Sequence, residues 1–346
     1  MLPKRAVASA LAAALLFGAS TPAAKLLAGE MPAFLLAGLL YAGSGIGLSI
    51  FLALRPATPA PPLARGDLPW LAGAVVSGGV AGPVLLMLGL GITAASTASL
   101  LLNLEGVFTA LIAWFVFKEN FDRRIALGMA LIVAGGALVS LEPGALGRLS
   151  AGALFVLAAC LAWAIDNNLT RKVSAGDPVT IAAIKGLAAG TVNVALAFAL
   201  GSGWPGALPA AATGLVGLLG YGVSLALFVY ALRELGAART GAYFSIAPFA
   251  GIALALGVLG ESPGAAFWAA LPLVAAGVWL HLSERHAHEH LHEPMQHTHS
   301  HAHDEHHRHA HEFDWDGSEP HVHAHRHERL LHSHPHYPDI HHRHPH

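Results

Sequence analysis

One pattern governs what this chain can become. Runs of about 20 residues dominated by Ala, Leu, Gly and Val follow one another with only short polar joints between them. A spanning helix needs about 20 mostly apolar residues to cross roughly 30 Å of hydrocarbon. Such runs lie near 7–28, 32–54, 68–90, 94–117, 123–141, 150–170, 178–200, 211–232, 237–259 and 263–281. Helices that are apolar all round cannot share one soluble core, because each still leaves apolar surface facing outward. The expected fold is therefore an all-α membrane protein of ten transmembrane helices, with the lipid bilayer as its first partner.

The start, "MLPKRAVASALAAALLFGASTPAA", has the basic head, apolar run and small residues of a cleavable signal peptide. It also has a partner later in the chain, so it is expected to stay as the first span. Orientation follows from the positive-inside bias. With the N-terminus in the cytoplasm, the inside segments hold Lys4, Arg5, Arg55, Arg65, Lys118, Arg123, Arg124, Arg171, Lys172, Arg233, Arg239 and Arg285, against Lys25 and Arg148 outside. An even number of spans returns the C-terminus to the cytoplasm. The expected location is the inner or plasma membrane. The single cysteine, Cys160, lies within a span and excludes an internal disulfide.

The spans repeat. Shifted by 142 residues, "LGITAASTASLLLNLEGVFTALIAWFVFKE", ending at Glu119, falls over "LRELGAARTGAYFSIAPFAGIALALGVLGE", ending at Glu261. "LIVAGG" (131–136) likewise falls over "LVAAGV" (273–278). A shift of 146 lays "FGASTPAAKLLAGEMP" (17–32) over "WAIDNNLTRKVSAGDP" (163–178). Helices 1–5 (6–142) and 6–10 (148–281) are two copies of one unit. Because five is odd, the copies enter the membrane from opposite faces, an arrangement used for alternating access around a mid-membrane site.

On these residues the chain resembles the drug/metabolite transporter superfamily in its ten-helix form with two EamA domains. The resemblance covers roughly 6–281 and rests on "FKE" and "LGE", the "AW" opening of helix 6, and the "VAGG" and "AAGV" ends of helices 5 and 10. It implies secondary transport, often export, of small organic solutes. The family commonly has Pro after the helix-4 Glu; here Gly106 follows Glu105, which leaves a helix-4 kink open.

Ionisable residues inside a membrane are costly, so each is a candidate for function. Glu105 is the deepest acid, with Asn103 two residues before it; Tyr243 and Ser245 fall at similar depth in helix 9. Helices 4 and 9 would then share a polar patch. Alternatively, Glu105 is a protonated, hydrogen-bonded structural acid. "AIDNNLTRKVS" is a second polar island, with Trp163 just before it and Asp166, Asn167 and Asn168 inside helix 6. Lys185 enters helix 7 at a comparable depth. Either Asp166 and Lys185 pair, or Lys185 snorkels to the cytoplasm and Asp166 pairs with Arg171. Asn193 reads as an interhelical hydrogen-bonder.

No Gly-rich segment ends in Lys-Ser or Lys-Thr, so no phosphate loop supplies nucleotide energy. The absence of histidine before His281 argues against a Ser/His/Asp hydrolase in the bundle. The expectation is a transporter, not an enzyme, with no required cofactor and no nucleic-acid partner; no oligomeric state is read from it.

All 24 histidines lie from His281 onward. Residues 286–346 have too little apolar content for a core and are expected to be a disordered cytoplasmic tail. Imidazole suits Zn, Ni and Co, and spacing such as His297, His299, His301 and His303 can fold around an ion. The tail is read as a solubilising extension, a metal buffer or sensor, or a donor arm. Three functions therefore stand: export of a small organic metabolite or toxicant, export of a divalent metal fed by the tail, and a membrane-anchored metal buffer.

Overall fold

Inside a bilayer every backbone N–H and C=O must be satisfied by the chain itself, so each apolar run closes into a helix. The computed structural model describes residues 4–55, 63, 65–117, 123–141, 149–173, 177–235, 237–283, 287–292, 295–301, 321–327 and 330–335. It divides into two units, Met1–Glu284 and Arg285–His346.

In the first unit, α1 (Lys4–Leu27) and α2 (Ala33–Leu54) are uninterrupted spans. The third span is composite: α3 (Leu68–Ala74), a π-helical stretch Val75–Ala81, then α4 (Gly82–Ile92). The fourth is broken into α5 (Ala95–Leu101) and α6 (Leu104–Phe117), and α7 (Arg123–Ser140) completes the repeat. The second repeat reproduces every feature. It runs through α8 (Ala151–Val173), α9 (Pro178–Ala199), and a composite span of α10 (Ala207–Gly217), the π-helical Leu218–Val223 and α11 (Ser224–Leu235). A broken span of α12 (Ala237–Phe244) and α13 (Ala247–Gly257) follows, and α14 (Ala265–Leu282) ends it. Among the described residues, nine stretches are long and apolar enough to cross a membrane; the broken ninth span is the exception, leaving Ala247–Gly257 as a short apolar helix.

Equivalent spans pack against each other. α2 lies along α9, and α7 along α14. Glycines make the first contact possible: a Cβ on Gly45 would overlap the backbone of Leu187, and one on Gly190 the backbone of Ala42. Small residues are what let helices approach this closely where no hydrophobic effect drives them together. Around the outside, Leu15, Ile46, Ile50, Phe51, Val76 and Leu88 stay exposed, an apolar surface suited to lipid.

The joints are capped. Asp177 accepts from the Thr180 amide (2.8 Å) and hydroxyl (2.9 Å) at the start of α9 and pairs with Arg55 at 2.8 Å. Burial works to raise the Asp177 carboxyl, but the hydrogen bonds from Arg55 and Thr180 outweigh it and hold it below the ordinary range. At the opposite face, Glu261 accepts from the Ala95 and Ser96 amides at 2.7 and 2.8 Å, closing the N-terminus of α5. Lys25 donates to the carbonyls of Leu90 and Thr93 nearby.

The second unit is the His-rich tail. Its described stretches are extended: β1 (Ala287–His292) pairs with β4 (Leu330–Pro335), and β2 (Met295–His301) with β3 (His321–His327), both antiparallel. Strict alternation of His with other residues is a period of two, which a strand accommodates and a helix does not. His303 lies outside the described residues.

Candidate substrate site

The two π-helical stretches fall on equivalent residues of the third and eighth spans, and each has a local cause. In the third, the Gly82 amide reaches back five residues to Ser77 rather than four to Gly78. Pro83, next in line, has no amide to give. The Gly78 carbonyl is thereby released, and it accepts from the Tyr41 hydroxyl at 2.8 Å and from Trp163 Nε1 at 2.9 Å. The Gly79 carbonyl accepts from Asn193 Nδ2 at 3.2 Å. In the eighth span the Ser224 amide likewise reaches five residues back, to Leu219, and the Ser224 hydroxyl bonds Ala13 of α1 at 2.8 Å. Single π turns of this kind recur at functional sites.

Each π turn presses a glycine onto the opposite repeat. Gly78 lies against the Asp166 carboxylate, and Gly220, 142 residues on, lies against Ser20. Ser20 and Asp166 are themselves equivalent residues, so the contact is one motif made twice. Only in the second repeat does it carry charge. There Lys185 Nζ stands 2.6 Å from Asp166 Oδ1 and 2.8 Å from Oδ2, and donates to Thr170 Oγ1 at 3.0 Å. Thr170 in turn donates to Asp166 at 2.8 Å. Asp166 and Lys185 are 7% and 5% exposed, so the cation is enclosed with its partner rather than snorkelling out. The pair locks α8 to α9 and sets both against the third span.

Around this pair stands an aromatic cluster drawn from five spans. Phe17 meets Trp163 edge-on at 6.0 Å, Tyr221 at 5.8 Å and Phe244 at 5.4 Å, and Tyr41 meets Tyr221 at 5.4 Å. The Tyr221 hydroxyl is buried and unpartnered among the described residues.

The other ionisable residue lies at the break in the fourth span. α5 ends at Leu101, the Asn103 and Glu105 amides make short three-residue turns to Leu100 and Leu102, and α6 begins with Glu105 in its first turn. An acid in a first turn is favoured by the amides that turn leaves free. The break also frees the Leu101 carbonyl, which accepts from Cys160 Sγ at 3.5 Å. Glu105 is half-buried. Asn167, exposed on α8, donates from Nδ2 to Glu105 Oε1 at 2.8 Å and reaches Thr109 at 3.4 Å. Asn168, beside it, ties the Ala164 and Thr109 carbonyls together. Gly106 in place of the family's proline has not straightened the span.

The expected polar patch between helices 4 and 9 is only half assembled. Glu105 meets Asn167 of helix 6 instead. Asn103 is buried and bonds its own helix at Leu100, with Oδ1 unpartnered among the described residues. Tyr243 packs with Val7 on the small cluster of Ala6, Ala10, Ala231 and Leu235. Ser245, the last helical turn before the ninth-span break, bonds through its amide to Gly241 at 2.9 Å. Tyr243 thus packs toward α1 rather than Glu105. Tyr41, Phe17, Tyr221, Thr109 and Thr170 were not singled out from sequence. Pro83 inside an otherwise continuous span was the signal that a carbonyl near Gly78 would need an outside donor.

Paired composite spans, paired broken spans and a polar pair at one break define a class: inverted-repeat membrane transporters with discontinuous helices. The chain belongs to the EamA-like transporter family, which matches residues 4–141 and again 150–283. It is similar to an uncharacterized transporter of Methanothermobacter thermautotrophicus, 32% identical over 190 residues; the match covers 53% of this chain and 55% of that protein, about half its length. It is 27% identical over 263 residues to the uncharacterized inner membrane transporter YedA of Escherichia coli K12, covering 72% of this chain and 81% of YedA. A shorter match, 35% over 86 residues and 24% and 28% of the two chains, is to a protein of Salmonella typhimurium described as a probable amino-acid metabolite efflux pump. A solved crystal structure shares the fold at a TM-score of 0.59 and 20% identity, covering 80% of this chain and 95% of its own.

Proposed function

We propose that this chain is a secondary transporter that exports a small organic metabolite or toxicant by alternating access. In this reading it sits in the inner or plasma membrane with both termini in the cytoplasm. The observation that carries the proposal is the Glu105–Asn167 pair at the break of the fourth span. A half-buried acid and an exposed amide near mid-membrane are costly against lipid, so the space they open onto is a solute path. Together they offer acceptors and a donor, which suits a solute bearing an amine or amide. The efflux description of the Salmonella relative supports export of that class. The Asp166–Lys185 pair and the two π turns supply the bistable part: charge and a released carbonyl held where one repeat slides on the other. A metal-cargo reading has less to rest on, because among the described residues no three His, Cys, Asp or Glu side chains gather to hold an ion.

The test is a growth screen of a deletion strain against organic metabolites and divalent metals. Hypersensitivity to an amine-bearing metabolite, reversed by the intact gene, is expected. Hypersensitivity confined to Zn, Ni or Co would overturn the organic-solute reading.

A further inference from the structure

α5 is gripped at the end away from Glu105. Its joint with α4 is only Thr93 and Ala94, and the helix ends on both sides of it are held by charges from elsewhere in the chain. Lys25, near the end of α1, donates to the Leu90 carbonyl in the last turn of α4 and to that of Thr93 at 2.9 Å. Glu261, between α13 and α14, accepts from the first two amides of α5, Ala95 at 2.7 Å and Ser96 at 2.8 Å. A cation at a helix C-terminus and an anion at an N-terminus each have the favourable sign. Glu261 is itself fixed: Gly260 turns the chain at φ +65°, and the Glu261 amide bonds the Ala255 carbonyl of α13 at 3.2 Å. Glu261 therefore ties α5 to the end of α13. Thr93 also rests on Gly152 at the start of α8.

Beneath the grip, α5 packs directly on α13. A Cβ on Gly251 would overlap Ser99 Oγ, and one on Gly18 of α1 would overlap the Ala247 carbonyl. Ser99 is fully buried there, yet its hydroxyl has no partner among the described residues. Burying an unpaired hydroxyl is costly, and the cost has a reason if that surface meets water in a second conformation. The halves beyond the breaks are arranged otherwise: α6 packs on α7 and α8, and α12 on α1, α11 and α14. There Asn167 is exposed beside Glu105. We propose that Lys25 and Glu261 form a latch that holds α5 shut against α13 and so closes Glu105 to solute from their own face of the membrane. This rests on the solute path read at Glu105; on the orientation proposed above, the latched face is the outer one. α5 spans about 10 Å from the joint to the break at 1.5 Å per residue. Releasing its gripped end swings it off α13, wets Ser99 and opens the way to Glu105.

The test reads conformation and needs no transport assay. In full-length protein in detergent, Cys160→Ala removes the native thiol, and one new thiol is introduced by Ser99→Cys, Asn167→Cys or Ala183→Cys. Its reaction with a charged maleimide is then timed. Ser99→Cys should react slowly with the latch intact. Adding Lys25→Met or Glu261→Ala should speed it at least about tenfold, the scale of losing one charge-assisted hydrogen bond. Ala183→Cys, buried where α9 meets α2, reports general loosening and should keep its slow rate. Asn167→Cys tests the solute path separately and should react rapidly with the latch intact. If it stays inert, the path at Glu105 fails, while the Ser99 comparison still decides the latch. No acceleration at Ser99→Cys in either latch variant would overturn the proposal. Equal acceleration at Ser99→Cys and Ala183→Cys would overturn it too, because the bundle would then be loosening as a whole.

Discussion

Asp166 closes on Lys185 across 2.6 Å, in a contact that the first repeat cannot make, because the equivalent residues there are Ser20 and Leu39. The two repeats share a backbone plan down to their π turns, and this pair is where they part chemically.

Breaking the pair should cost more than removing it. Asp166→Asn leaves Lys185 without its counter-ion, and Lys185→Met strands the carboxylate against Gly78. Each single change is expected to destabilise by about 3–5 kcal/mol, and the double change by less than either. Thermal unfolding of the purified variants reads this as a double-mutant cycle. Additive losses would show that the two residues act separately.

The glycine contacts give a second test. A Cβ on Gly78 would overlap the Asp166 carboxylate, whereas one on Gly220 would press on the Ser20 side chain. Both Gly→Ala variants are expected to be destabilised by about 1–3 kcal/mol from overpacking. Gly78→Ala should also impair transport, because it displaces a charged group; Gly220→Ala should impair it less. Equal transport defects would remove the functional distinction drawn between the repeats.

Much of this was legible in the residues, and the limits are instructive. The two-repeat helical plan followed from apolar run length and from offsets of 142 and 146 residues, since hydrocarbon thickness sets span length directly. Glu105, Asp166 and Lys185 stood out because charge within a span is rare. Their partners did not. Which residue Glu105 meets depends on helix rotation and tilt, which packing sets, so Tyr243 was drawn toward Glu105 when it packs near Ala6 and Ala10. The fourth-span break was equally hidden: no proline marks it, whereas Pro248 stands just past the corresponding break in the ninth.

Acid should loosen the cap on α5. Burial works to raise the Glu261 carboxyl, but hydrogen bonds from Ser96 and Ala95 and the nearby Lys25 outweigh it, so its folded value is depressed. A depressed acid contributes stability that is full above the unfolded carboxylate value, about 4.3, and is lost as pH falls through the folded one. Glu261→Gln is therefore expected to be less stable near neutrality, by on the order of 1 kcal/mol, with the difference fading below about pH 4. Melting temperatures from pH 3 to 7 measure it; a pH-independent difference would mean that the carboxylate charge is not what caps α5.

The tail should be separable from the machine. Truncation after Arg285 removes nothing from the Met1–Glu284 unit, so the remaining protein is expected to insert, purify as a single species and transport. Metal binding should vanish with the tail. In the intact protein it should weaken below about pH 6, where imidazoles protonate. Loss of all transport on truncation would show that the tail belongs to the mechanism.

Transport is expected to depend most directly on Glu105. The direct measurement is solute accumulation in everted membrane vesicles, using the metabolite found by the growth screen, for the intact protein and for Glu105→Gln. That change keeps the shape of the side chain and removes its charge. Normal insertion with uptake reduced at least about tenfold is the expected result, the scale of losing one charge-assisted hydrogen bond at a binding site. Uptake by Glu105→Gln equal to that of the intact protein from pH 5.5 to 8.5 would contradict the placement of the solute path at the break in the fourth span.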